Sequence, residues 1–312
     1  MSVRAPDICD ADELVARATA MRDTLRERQA ECEALGRLPD ETNRDYIEAG
    51  FFRVIQPRRF GGFELGLQAF LRVAVELSRG CPSSGWVYAL TAGHAHTVTM
   101  WPEQGQVELF GDGEFRCPLS NLPAKAVRVD GGYRLDGWWD YGSGCDTATH
   151  FIVSEPAAVA VGIAQGATDH YVEILQTRRQ YGPASPLRRE LTMFQRDLGQ
   201  ATALVDTAEA ALMQVATTWT AQAHATVEHG IEATDEVQRR LLMICQQIVE
   251  LCAEAVDIVF RTAGTSATRK GEAIERCFRD VNMIRTHVTM QFDRTFENVG
   301  QMLLGLPPAG FF

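Results

Sequence analysis

Apolar residues recur every three or four positions along most of this chain, and a short central stretch breaks that rhythm. Leu14, Ala18, Met21 and Leu25, carried on to Arg28, share one face of a helix that Asp10 or Asp12 can cap. Leu38-Pro39-Asp40-Glu41 starts a shorter helix through Tyr46 and Ile47 that stops at Gly50. Phe51 to Ile55 reads as a short extended piece, and Phe60-Gly61-Gly62 as a turn. A third helix turns Leu65, Phe70, Val73 and Leu77 inward and closes at Gly80. Pro82-Ser83-Ser84 then opens a helix from Gly85 to about Met100, with so few charges that it must be buried on most sides.

Near Phe115 the period shifts towards two. Ala126 to Val129, Tyr133 to Leu135, Trp138 to Tyr141 and His150 to Val153 read as strands, and Asp130-Gly131-Gly132 marks a hairpin between the first two. Such a segment is thin for a closed barrel. Helix resumes from Pro156 to about Gln176. After Pro183 and Pro186, a long helix carries Leu187, Leu191, Phe194, Leu198, Ala201, Val205, Ala208, Leu212 and Val215, the seam spacing of packed, nearly parallel helices. Another, capped near Thr234, offers Val237, Leu241, Ile244, Ile248, Leu251 and Ala255 as a matching seam. The last runs from about Glu272 to Leu304, after a turn at Gly264-Thr265-Ser266. The expected fold is mainly α with a small β domain: an N-terminal helical domain over 1–114, a middle β domain over 115–155 and a C-terminal helical bundle over 156–312.

Composition narrows the picture. With 46% hydrophobic and 23% charged residues, the chain reads as globular, and no apolar run approaches the length of a membrane span. A net charge of −11 argues against a nucleic-acid partner, which needs a basic face. The N-terminal MSVRAPDICDADELVARA lacks the basic-then-apolar order of a secretory signal. Eight cysteines are scattered without CxxC pairs, so reduced thiols, a cytoplasmic setting and no structural metal are expected.

Generic catalytic motifs are missing: no GxGxxG opens a βαβ unit, and there is no Walker loop, HExxH or GxSxG. His94 and His96, two apart on a helix, make a poor metal pair, while His224 and His229 lie on a polar stretch and read as solvated. His287 sits among Val281, Ile284 and Val288, where a buried structural histidine is the ordinary reading. Trp86, Trp138 and Trp139 would ordinarily be core, although indole faces also suit a flat conjugated ring. Gly142-Ser143-Gly144 offers backbone N–H groups and a hydroxyl where a ligand could approach closely.

Four strings, taken in order, resemble the acyl-CoA dehydrogenase superfamily, and more closely its two-component flavin monooxygenase branch, the oxygenase components of 4-hydroxyphenylacetate and 3-hydroxy-9,10-secoandrostatrienedione hydroxylases. They are RLPDETNRDYIEAGFFRVIQPRRFGG, SRGCPSSGWVYALTAGHAH, GGYRLDGWWDYGSGCDTA and ERCFRDVNMIRTHVTMQF, spread from about residue 35 to 305. The resemblance implies an acyl-CoA dehydrogenase-like fold ending in a four-helix bundle. It implies an oxygenase that takes reduced flavin, FMNH2 or FADH2, from a separate NAD(P)H:flavin reductase. Through a C4a-hydroperoxyflavin and O2 it would hydroxylate a small aromatic, phenolic substrate, a chemistry that needs a dry pocket. It further implies a homotetramer centred on the bundle, and neither a membrane nor a nucleic-acid partner.

Carried over position by position, Ser143 resembles the serine beside flavin N5. Trp139 and Tyr141 would line the ring, and Trp86 and Leu119-Ser120-Asn121 would face the same flavin. His287 would support the reactive oxygen and the substrate hydroxyl, and His94 would lie near the substrate. Imidazole suits proton exchange at neutral pH. Aligning on Arg279-Asp280 puts Val288 where many acyl-CoA dehydrogenases carry their glutamate base.

Two departures stand out. Thr147 follows Asp146 where the family commonly has histidine, and FIVSEP passes almost directly into the next helix where several barrel strands are expected. The middle β lobe is therefore either shortened or incompletely represented, and uncovered strand edges would need a partner subunit. An FAD-dependent acyl-CoA dehydrogenase and a catalytically silent binding or assembly protein are the competing readings.

Overall fold

Helices of the first third wrap around one central helix, α5 (Gly66–Gly80). In this computed structural model, residues 9–308 are described apart from 112, 119–124, 131, 137–141, 151–156, 183–184, 288–289 and 291. The single N-terminal helix expected from Leu14 to Arg28 is instead α1 (Ala11–Ala20), α2 (Arg22–Glu27) and α3 (Gln29–Leu35), with turns at Met21 and Arg28. The breaks bend the chain so that α1 and α2 stay on α5 while α3 reaches α6 (Pro82–Thr99). Asp10 caps α1, its side chain accepting from the Glu13 N–H at 2.8 Å.

α4 (Asp40–Ala49) ends at Gly50 as its sequence predicts, but Phe51–Arg53 is a 3-10 turn and not an extended piece. Phe51 and Phe52 are both buried, in an aromatic cluster with Tyr46 and Tyr88. A strand would send neighbouring side chains to opposite faces, so two adjacent inward rings require the tighter turn. α5 buries Ala69, Phe70, Val73, Ala74 and Leu77 as one stripe, and α6 is buried on most sides, as its lack of charge requires. α7 (Glu103–Phe110), which the periodicity does not reveal, follows.

The middle segment contributes one antiparallel hairpin among the described residues, β1 (Lys125–Val129) and β2 (Gly132–Asp136), registered by Val127 opposite Arg134 and Val129 opposite Gly132. The expected strand from Trp138 to Tyr141 and most of that from His150 to Val153 lie outside the described residues; His150 itself lies in a bend.

α8 (Ala157–Thr177), α9 (Thr192–His229), α10 (Asp235–Ala263) and α11 (Ala273–Arg285) form the bundle, with α12 (Phe292–Leu303) against α10. α8 meets α5 at very short range: a Cβ at Gly162 would lie 2.4 Å from both Ser78 Cβ and the Val75 carbonyl oxygen. α9 packs on α10, and Phe194, Ala201, Val205, Ala208 and Leu212 of α9 and Leu241, Ile248 and Ala255 of α10, positions of the two seams that the heptad spacing predicts, are all buried. Leu187 is not part of α9, because it is held in extended backbone paired with Arg179 ahead of the helix. The Thr234 hydroxyl caps α10.

The expected last helix is interrupted after Arg285. Thr286-His287-Val288-Thr289 holds three β-branched residues, which lose side-chain freedom in a helix, and α11 ends just before them. His287 consequently occupies a turn, its N–H donating to Ile284 and its carbonyl accepting from Met290.

Candidate active site

The site is organised by α6. Trp86, Leu90 and His94 follow one another at four-residue steps, a ridge about 12 Å long at 1.5 Å per residue. At the Trp86 end, the indole meets the His287 imidazole edge to face, with ring centroids 5.7 Å apart and planes at 70°. Both rings are half-buried. Burial pushes the His287 pKa below its ordinary value, so the ring is neutral at neutral pH.

At the other end His94 is 3% exposed, and its Nδ1 lies 2.5 Å from the Cys117 carbonyl oxygen. A carbonyl only accepts, so Nδ1 carries the proton and, in the neutral ring, Nε2 is the acceptor nitrogen. The Cys117 N–H donates in turn to the Thr91 carbonyl at 2.8 Å, docking this loop on α6. Burial pushes the Cys117 thiol up to about 12, which leaves it unreactive.

Between these ends the Gly142-Ser143-Gly144 turn sits on the same helix. Gly144 is buried at φ +87°, and a Cβ there would lie 2.7 Å from Thr91 Cγ2 and 2.9 Å from Val87 Cγ1. Only glycine meets both demands, the left-handed backbone and the absent side chain. Ser143, half-buried, is thereby fixed over the helix that carries Trp86 and His94. The turn runs into a 3-10 segment, Cys145–Thr147.

The structure thus brings Trp86 to His287 and the Ser143 turn to α6, while His94 stands two helical turns beyond Trp86. Leu119, Ser120, Asn121, Trp139, Tyr141 and Val288 lie outside the described residues. His96 has its Nε2 buried without a partner among the described residues, and burial lowers its pKa as well. His224 and His229 are exposed beside Glu228 at the end of α9. Among the described residues, no group of three or more His, Cys, Asp or Glu side chains could hold a metal, and no helix is long and apolar enough to cross a membrane.

Sequence reasoning missed Thr91 and Cys117, which dock the loop on α6, and Arg116, which ties that loop to residues 147–150. Several of these contacts use backbone carbonyls, which leave no mark in spacing or residue type.

Family models for the acyl-CoA dehydrogenase N-terminal domain and the acyl-CoA dehydrogenase C-terminal domain match residues 13–108 and 156–292, leaving 109–155 between them. The oxygenase subunit HsaA of a flavin-dependent monooxygenase from Rhodococcus jostii is 34% identical over 167 residues, 53% of this chain but 42% of that protein. The chain therefore matches less than half the length of that relative. The oxygenase component of an FADH2-dependent resorcinol hydroxylase from a Rhizobium species is 24% identical over 392 aligned positions, covering 95% of each chain. In structure, the HsaA monooxygenase from Mycobacterium tuberculosis superposes with a TM-score of 0.85 at 22% identity, covering 96% of this chain and 100% of that one.

Proposed function

Because the chain belongs to the acyl-CoA dehydrogenase superfamily, we propose that it is the oxygenase component of a two-component flavin-dependent monooxygenase that hydroxylates a phenolic substrate with reduced flavin and O2. The observation that carries this reading is the edge-to-face contact of Trp86 with a neutral-biased His287, beside a hydroxyl-bearing turn locked to the same helix. Both the resorcinol hydroxylase and the HsaA relatives are named as flavin-dependent oxygenases, which supports it.

The residues present fit a flat redox-active ring. They combine an apolar helix ridge, an indole, an imidazole at each end and one hydroxyl donor. When bound, reduced flavin supplies the electrons that activate O2 for transfer to the aromatic ring. Ser143 would hold the flavin N5 edge by a hydrogen bond, with Trp86, Trp139 and Tyr141 lining the ring and Leu119, Ser120 and Asn121 facing it. His94, its Nδ1 held by the Cys117 carbonyl, would lie near the substrate and help draw the proton from a phenol hydroxyl. His287 would donate to or accept from the reacting oxygen, and its partial burial keeps water from competing there. The cofactor would be reduced FMN or reduced FAD. The electrons would come from a separate NAD(P)H:flavin reductase, and a homotetramer would form around the bundle.

The direct passage of the sequence from FIVSEP into α8, where barrel strands are expected, favours a second reading, a catalytically silent binding or assembly member. Rapid mixing of protein and reduced flavin with oxygenated buffer decides between them. An oxygenase delays the return of oxidised-flavin absorbance relative to free flavin and yields hydroxylated phenol. Immediate return, as in the protein-free control, refutes the oxygenase and supports the silent member. Tightly held oxidised FAD that an acyl thioester bleaches would instead establish a dehydrogenase.

A further inference from the structure

Three successive residues of the loop before the hairpin each grip a different part of the site. Phe115 is buried and stacks on His150, with centroids 5.4 Å apart and planes at 24°. Cys117 is docked on α6 through the Thr91 carbonyl and the His94 ring. Between them, Arg116 binds the segment that follows the Ser143 turn. Its Nε donates to the Thr147 carbonyl at 2.8 Å, and its own N–H donates to the Thr149 hydroxyl at 2.8 Å. Its carbonyl accepts from the Thr149 and His150 N–H groups at 2.8 and 3.1 Å and from the Thr149 hydroxyl at 3.1 Å. The side chain is 13% exposed, with its guanidinium 5.7 Å from the Phe52 ring centroid and 3.1 Å from Glu114.

We propose that Arg116 is a positioning residue of this site, a strap that holds the Ser143 turn at a fixed height over α6, in register with the carbonyl that orients His94. The argument is geometric. The 3-10 segment Cys145–Thr147 links Ser143 to Thr149, and the Thr147 carbonyl is the point where a side chain from outside grips that link. On its other side the turn is held by the steric fit of Gly144 against Thr91 and Val87, which resists compression but not lifting. Arg116 supplies the restraint against lifting. A hydroxyl hydrogen bond is effective only over a few tenths of an ångström, so a turn that lifts by half an ångström would lose Ser143 as a donor. Arg116 touches no reacting group and acts through Thr147 and Cys117.

The role at the flavin rests on the function proposed above, whereas the strap itself does not, and the test keeps the two apart. Arg116→Met keeps an unbranched side chain and removes the donors, together with the guanidinium near Phe52; Arg116→Lys keeps a cation able to reach the Thr147 carbonyl. Hydrogen exchange is measured on the flavin-free protein, and then reduced-flavin affinity is measured anaerobically by tryptophan fluorescence. Losing one buried hydrogen bond predicts about tenfold faster exchange across 142–150 in Arg116→Met, with α8 and α10 unchanged, and about tenfold weaker reduced-flavin binding. Arg116→Lys should recover both in part. Unchanged exchange over 142–150 overturns the strap, and faster exchange with unaltered flavin affinity overturns its positioning role. If the parent protein binds no flavin in either redox state, the function proposed above fails while the exchange result still decides the strap. Should Arg116→Met fail to fold, Arg116→Lys carries both readouts, since a single ammonium nitrogen cannot match the planar fork of the guanidinium and must show a smaller change of the same sign.

Discussion

Replacing Gly144 by alanine tests whether the serine turn is locked to α6 by shape. Gly144 has a φ of +87°, where an L-residue costs about 1–2 kcal/mol. The added Cβ would meet Thr91 Cγ2 at 2.7 Å and Val87 Cγ1 at 2.9 Å. Both partners are β-branched and buried within a helix, so neither can swing aside, and overpacking of this kind costs about 1–3 kcal/mol. Together these give about 2–5 kcal/mol if the turn stays docked. The turn also has a cheaper escape, lifting off at the expense of a few local hydrogen bonds, which sets the expected loss near the lower end, about 2 kcal/mol. A double-mutant cycle separates backbone strain from steric clash. Thr91→Ser removes Cγ2 yet keeps the hydroxyl that donates to the Val87 carbonyl at 2.6 Å. In that background Gly144→Ala should cost about 1 kcal/mol less, a coupling well above the additivity error of about 0.3–0.5 kcal/mol. Urea denaturation followed by circular dichroism and tryptophan fluorescence supplies all four stabilities. Strict additivity, or a Gly144→Ala protein as stable as its parent, would refute the locking argument.

Other outcomes follow from the same geometry. Because burial lowers the His287 pKa, the unfolded chain binds the proton first as pH falls. The stability from this group is therefore present above pH 6.5 and is lost as pH drops through 6.5 towards the lower folded value. His287→Asn should flatten that slope between pH 7.5 and 5.5, and an unchanged slope would assign it to other groups such as His96. Cys145 is exposed and the other seven cysteines are buried, so a thiol reagent should label one site rapidly; two or more fast sites would contradict the packing. Bound flavin should slow that labelling, since Cys145 adjoins the serine turn. Asp169 accepts from Arg79 Nε and Nη2 at 2.6 and 2.7 Å and from Arg26 at 3.3 Å, all partly buried. Asp169→Asn should cost about 1–3 kcal/mol in thermal denaturation, and a loss that vanishes in high salt would mark the cluster as a mere surface network.

Local chemistry explains what was legible from sequence. Caps at Asp10 and Thr234, the stop at Gly50, the charge-poor run from Gly85 and the seams on α9 and α10 all follow from side chains acting on their own helix or its neighbour. The Asp-Gly-Gly hairpin follows for the same reason. Candidate site residues were legible only through resemblance, since a lone histidine and a lone tryptophan look like core. Tertiary structure alone decided that Phe51 and Phe52 turn inward together, that the last helix breaks so that His287 faces Trp86, that Cys117 docks its loop on α6, and that Arg116 ties that loop to the segment after Ser143. The Trp86–His287 contact spans two hundred positions, and the Arg116 and Cys117 contacts span tens of positions and use backbone carbonyls that every residue possesses. Periodicity records how a segment meets water. It carries no record of which other segment it meets, and the site is made of those meetings.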